Sequence, residues 1–266
     1  MATMIRPVGE QLREWRQRRR MSQLDLALEA DISARHVSFL ETGRARPSRD
    51  MLQHLAERLN VPLRERNLLL LGAGFAPAYS QLPLDDPALA DARAAIESLL
   101  KAHQPFPALA VDRHWNMMAA NDSVALLIGQ VDDTLLVPPV NVLRLSLHPS
   151  GLASRILNFS QWRAHVLERL RNQNVATGDA ALVDLAEELA AYPEPQLAAP
   201  VNAEVSGFVV PLRIATEIGT LSLLSATTVF GTPLEVTLSE LVLETFLPAD
   251  RQTADALYAA AGSSAG

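Results

Sequence analysis

Residues 22–47, SQLDLALEADISARHVSFLETGRARP, hold two short helical periods separated by a tight polar break, and no other stretch restricts the fold so narrowly. Leu26, Ala27 and Ala30 fall on one stripe of the first period, and Val37 and Leu40 on one stripe of the second. Ser22 can accept from the orphan amides at the start of the first helix, with Asp25 three residues on favouring its positive end. Beyond the break at Asp31-Ile32, Ser33 caps the second helix, and Gly43 is placed to end it in a left-handed conformation.

The same period extends both ways. A preceding helix from Val8 to Arg19 would bury Val8, Leu12 and Trp15 and turn Arg13, Arg18 and Arg20 to water. Pro47 and Ser48 reopen the chain for a fourth helix, buried through Leu52, Leu55, Ala56 and Leu59. Pro62 allows a fifth that stops near Gly72.

Five short helices carrying Ser22-Gln23, Leu26-Ala27, Ile32-Ser33, Val37, Leu40-Glu41, Gly43 and Arg46-Pro47-Ser48 resemble the XRE-type, lambda-repressor/Cro-like helix-turn-helix domain over about residues 6–71. The resemblance implies a double-stranded DNA operator as partner, with the third helix in the major groove and its first residues facing base edges. That turns Ser33, Ala34, Arg35, His36 and Ser38 toward DNA, because Val37 and Leu40 must face inward. Arg35 is the expected base reader, since a guanidinium can pair with guanine O6 and N7. Gln23, Arg44, Arg46 and Ser48 are expected on phosphates, where contacts set register and salt dependence but not sequence. The resemblance also pairs Arg16 with Glu41 in a structural salt bridge and removes Arg16 from the phosphate ligands.

Charge partition agrees with such a partner. The chain totals 23 basic and 30 acidic residues, net −7. Residues 1–71 hold 13 Arg and no Lys against 9 acidic residues, which is +4, and the remaining 10 basic and 21 acidic residues give −11. The 266 residues exceed what five short helices need, so a second domain is expected: 1–72 as the DNA-binding domain, 73–86 as a linker and 87–266 as an acidic body. There are no Cys residues, nothing at the start reads as an export segment, and the apolar runs fall far short of the ~20 residues that span a bilayer. A cytoplasmic protein without membrane insertion is expected.

In the body, Pro87 opens an amphipathic helix ending near His103. ALAVD and WNMMAAN read as two strands turning at Asp112-Arg113-His114, and Asn121-Asp122 as the cap of a following helix. Asn158–Leu170 and Asp179–Ala191 read as amphipathic helices, and Val209–Ala215 and Leu221–Phe230 as a hairpin around Glu217-Ile218-Gly219-Thr220. These give a sheet built from both ends of the segment with helices on one face, behind a leading helix and ahead of a flexible C-terminal tail.

VNVLRLSLHPSGL, NFSQWRAHVLERL, GTLSLLSATTVFGTPLEVTLSELVLETFLPAD and ADRQTADAL resemble the MmyB-like ligand-binding domain over about residues 105–258. That resemblance implies an α+β, PAS-like fold behind the all-α helix-turn-helix domain, and a pocket for a small lipophilic, fatty-acid-like molecule. Trp115, Met117, Leu143, Leu147, Trp162, Leu223 and Phe230 are expected as its apolar sleeve and Asn141, Arg144, His148 and Arg163 as its polar end. No phosphate loop, nucleophile elbow, zinc-spaced His pair or dinucleotide fingerprint occurs, so neither an enzyme nor a cofactor is expected. The resulting expectation is a homodimeric regulator responding to a small effector. The alternatives are a DNA-binding domain fused to an enzymatic body, and a constitutive adaptor recruiting a protein partner.

Overall fold

The computed structural model describes residues 6–129, 131–195, 209–231 and 233–264. The described residues divide into two compact units: one built on those up to Pro83, the other on the remainder apart from 175–177 and 233–239, which group with the first.

The first unit is five helices: α1 (Val8–Arg18), α2 (Gln23–Glu29), α3 (Ala34–Glu41), α4 (Arg49–Arg58) and α5 (Leu63–Gly72). Local signals start three of them. Ser22 Oγ accepts from Asp25 N at 3.1 Å while Asp25 Oδ2 accepts from Ser22 N at 2.7 Å, a reciprocal capping box. Ser33 and Ser48 each accept from the amide three residues on, at 3.1 Å. Gly43 takes φ +72°, the left-handed region that closes α3. The inward stripes assigned to α2, α3 and α4 are all buried in one core. Gly9, to which the sequence assigned no role, lets α1 cross α3 on bare backbone. A Cβ there would lie 2.5 Å from Leu40 O and 2.7 Å from Glu41 O.

The stretch expected as a linker begins packed down. The Asn67 side chain accepts from the amides of Ala78 and Tyr79 and donates to the Tyr79 carbonyl, and Phe75 packs on the helical core. A buried amide that satisfies three backbone groups ties the loop to α5, because those groups would otherwise be left without partners.

The second unit holds a five-stranded antiparallel sheet of β1 (Ala108–Val111), β2 (Met117–Ala120), β3 (Leu212–Thr216), β4 (Gly219–Val229) and β5 (Val242–Pro248), in the order β2-β1-β5-β4-β3. Its helices are α6 (Ala90–Ala102), α7 (Ala125–Ile128), α8 (Val142–Leu147), α9 (Phe159–Thr177) and α10 (Ala180–Ala191), with α12 (Arg251–Ser264) after β5; a short α11 (Val236–Glu240) precedes β5. The expected hairpin forms, with Thr216 opposite Gly219.

Four expectations are corrected. The central strand β5 was missed because its apolar residues serve two cores, Val242 and Phe246 turning to one and Leu243 to the other, while Glu244 is buried between them, so no apolar–polar alternation marks the strand. Helices cover both faces, since Ile96 and Leu100 of α6 pack on Ala108, Ala110 and Leu243, while α9 packs on the side of Leu109 and Val111. The tail is helix α12, started by Asp250 and anchored through Thr253, whose hydroxyl accepts from Ser222 N. Asn121 does not cap the helix after it. Its side chain instead takes Ala108 N at 3.0 Å and donates to the Leu100 and Phe106 carbonyls, joining α6 to β1.

Candidate DNA-reading surface and ligand cavity

On the first unit, helical phase separates the residues of α3. Val37 and Leu40 are buried, whereas Ser33 and Arg35 are exposed and His36 and Ser38 half-exposed. Ala34 packs against the core and offers less to a partner than expected. Ser33 and Ser48 are the caps of α3 and α4, so their hydroxyls sit where backbone amides gather. Arg44 and Arg46 are exposed. Gln23 is committed inward, its amide donating to Glu41 Oε2 at 2.9 Å.

Phe39, which the sequence did not single out, lies under both cationic side chains: the Arg35 guanidinium is 5.1 Å and the Arg44 guanidinium 5.9 Å from its ring centre. An aromatic face under a guanidinium restricts its rotamers and leaves its edge free for hydrogen bonding. The one signal for this was the spacing of Phe39 four residues after Arg35.

The expected internal bridge is present in bidentate form. Arg16 Nε meets Glu41 Oε1 at 2.6 Å and Nη2 meets Oε2 at 2.9 Å, while Nη1 donates to the Met21 carbonyl at 2.7 Å. Burial would raise the Glu41 pKa, but the bonds from Arg16 and Gln23 outweigh it and hold the carboxyl below its usual range. The Arg16-to-Arg20 run is thus not one patch. Arg19 is also internal, donating to the Leu59 and Asn60 carbonyls at the end of α4.

In the second unit an apolar cavity of about 70 Å³ lies between the sheet and α9, walled by Trp115, Met117, Leu143, Trp162, Val166 and Phe246 among others. Trp115 reaches it from a backbone at φ +67°, a region that a bulky residue occupies only when its surroundings impose it. Four hydrogen bonds impose it. Asp112 Oδ1 accepts from the amides of His114 and Asn116, Trp115 O accepts from Val142 N, and the indole N–H donates to Gln173 Oε1 at 2.8 Å. Trp162 is held by its indole N–H on Ser146 Oγ at 2.9 Å.

The polar lining is not the expected one. Arg169 and Glu244 stand in the cavity wall as an ion pair, with the Arg169 guanidinium 4.6 Å from the Trp115 ring centre. Asn141 caps α8 and donates to the His114 carbonyl. Arg144 forms a two-bond pair with Glu188, at 2.8 Å each, beside Tyr192, whose hydroxyl burial pushes up to about 12. His148 packs edge-on against Tyr192, and Arg163 donates to the Tyr192 carbonyl and pairs with Glu194. Arg144, His148 and Arg163 thus gather with Glu188 and Tyr192 at the end of α10, off the cavity lining, while Asn141 is buried at the start of α8. Of the expected sleeve, Trp115, Met117, Leu143 and Trp162 line the cavity. Leu147 and Leu223 are fully buried in the adjoining core but off the lining, and Phe230 packs in the core on the opposite face of the sheet.

A second, more open cleft of about 440 Å³ lies in the same unit, lined by polar and apolar residues including Gln104, Asp122, Arg155, Glu217 and Leu257. Among the described residues no cluster of His, Asp or Glu could hold a metal ion, and no helix is long and apolar enough to cross a membrane.

Both units match known families. Residues 12–66 match a helix-turn-helix family, and residues 92–260 match the MmyB-like transcription regulator ligand binding domain. The chain belongs to the MmyB-like transcription regulators. No curated protein matches it. This MmyB-like protein is a DNA-binding transcription regulator with a ligand-binding domain, and its two matched segments fall on the two sites built above.

Proposed function

We propose that this MmyB-like regulator reads a specific operator as a homodimer and that a small lipophilic effector in the second unit shifts its DNA-competent population. Residues 1–72 carry the DNA contacts and 87–266 the effector response. The exposed start of α3 supports the DNA half, with Arg35 poised over Phe39 as the base reader and Arg44, Arg46 and Ser48 at phosphates. The sheet order β2-β1-β5-β4-β3 under α9 supports a PAS-like sensor body. The tryptophan-walled cavity between them supports an apolar ligand. At about 70 Å³ it is small beside pockets of roughly 300–1,000 Å³ that hold drug-sized ligands, so a fatty-acid-like chain requires the wall to open. Such opening is itself the differential affinity that control requires, because a ligand bound equally by two states shifts neither.

Selection of duplexes from a random library by the full chain tests the reading. The expected result is a sequence with two related half-sites about one helical turn apart. Arg35→Ala is then expected to lose about 1–3 kcal/mol on that site and to relax preference at one base pair. A uniform loss on all duplexes would reassign Arg35 to phosphate, and enrichment of no sequence would remove the operator-reading function.

A further inference from the structure

The one charged feature of the cavity wall identifies what a ligand must present to it. Glu244 lies in the middle of the sheet and is 3% exposed, and among the described residues lining the cavity only Arg169 also carries charge. Glu244 Oε1 accepts from both Arg169 and Thr227, so the carboxylate's remaining acceptor capacity is on Oε2. His165 flanks the pair and stacks on Trp162 at 5.4 Å; burial, reinforced by Arg169, lowers its pKa below the ordinary histidine value. The polar end of the cavity therefore sums to zero charge while still offering an acceptor and a donor.

We propose that the cavity selects a neutral amphiphile whose head both donates and accepts hydrogen bonds, such as an amide or an alcohol, over a free carboxylate. The proposal rests on the cavity being the effector site. A carboxylate approaching Arg169 competes with Glu244, and displacing Glu244 leaves a buried carboxylate without its cation; remaining beside it sets two anions together. A neutral N–H or O–H reaches Glu244 and its own oxygen faces Arg169 with no change in buried charge. Trp115 holds the guanidinium against its ring, which keeps Arg169 from turning out to follow an anionic head into water.

Hexanamide, 1-hexanol and hexanoate share one short apolar tail suited to a small cavity and differ in the head. Titrating each into the ¹⁵N-labelled full chain at pH 7.5 and following the indole N–H resonances of Trp115 and Trp162 reads binding at the wall, with Trp15 of the first unit as internal reference. The amide and the alcohol are expected to bind at least tenfold more tightly than hexanoate. Glu244→Gln is expected to shift the hexanoate-to-hexanamide ratio at least tenfold toward hexanoate; the wild-type ratio stands as a test even if that variant does not fold. Hexanoate binding as tightly as hexanamide in the wild type would overturn head selection while leaving the effector site intact. Movement of neither indole by any of the three probes would overturn the effector site and the selection together.

Discussion

The two units are specified by different kinds of information. In the helical unit three of the five helices are started by their own caps, Ser22, Ser33 and Ser48, Gly43 closes α3, and the apolar stripes of α2, α3 and α4 follow the helical period. In the sheet unit the decisive contacts join distant positions. Ala108 pairs with Thr245 across the sheet, Asn121 ties α6 to β1, and Arg169 meets Glu244. A domain assembled from local signals yields its surface to sequence reasoning, because phase alone decides which side chains face out. A cavity assembled from long-range pairings does not.

The largest expected effect tests the exception inside the helical unit, a pair 25 residues apart. Arg16→Ala leaves Glu41 buried without its cation and is expected to cost about 3–5 kcal/mol in urea unfolding, whereas Arg16→Met combined with Glu41→Leu costs much less. Equal losses in the single and double variants would show that the site needs the charges themselves. The pair also sets an acid limb. The folded Glu41 carboxyl titrates below its unfolded value, so its contribution is complete above about pH 4.3 and is lost as pH falls through the folded value. In Glu41→Gln that part of the pH dependence is expected to vanish.

Next in size, Asn121→Ala strips partners from Ala108 N and from two carbonyls and is expected to cost about 1–3 kcal/mol. A loss confined to a few tenths would mean that β1 is held by strand pairing alone, which would narrow the contrast between the units. Ser22→Ala removes one half of a capping box and is expected to cost about 1 kcal/mol, with Ser22→Gly milder. A cost as large as that of Asn121→Ala would show that the helical unit is more cooperative than its local signals suggest.

The smallest effect on stability belongs to Arg46→Ala, within about 0.5 kcal/mol because the side chain is exposed. Its expected signature is in DNA binding, where the dependence of log K on log salt flattens by roughly one unit. An unchanged slope would take Arg46 off the phosphate backbone.

How far each site could be read follows the same division. The exposed placement of Arg35 and the Arg16–Glu41 bridge were legible, the first through helical phase and the second through family resemblance. Phe39 escaped because a half-buried aromatic in a helix has no distinguishing pattern until arginines from two segments are seen above it. In the sheet unit half of the apolar sleeve was legible, since Trp162 and Trp115 are large residues in amphipathic contexts. Its polar end was not: Arg144, His148 and Arg163 are interleaved with the sleeve residues in sequence yet point away from the cavity, and Asn141 is spent on capping α8 and on the His114 carbonyl. Arg169 is seven residues after Trp162, on the same helical side, and that spacing was the available sign.

By itself the sequence determined the helices, caps and turns of the first unit, the hairpin of the second and the partition of charge between them, because each depends on residues within one or two turns of the chain. Only the tertiary structure decided that β5 enters the middle of the sheet, that α6 covers its second face and that Arg169 and Glu244 share a cavity wall. Those outcomes depend on which buried surfaces find one another across long stretches of chain, 75 residues between Arg169 and Glu244, and no local period records that choice.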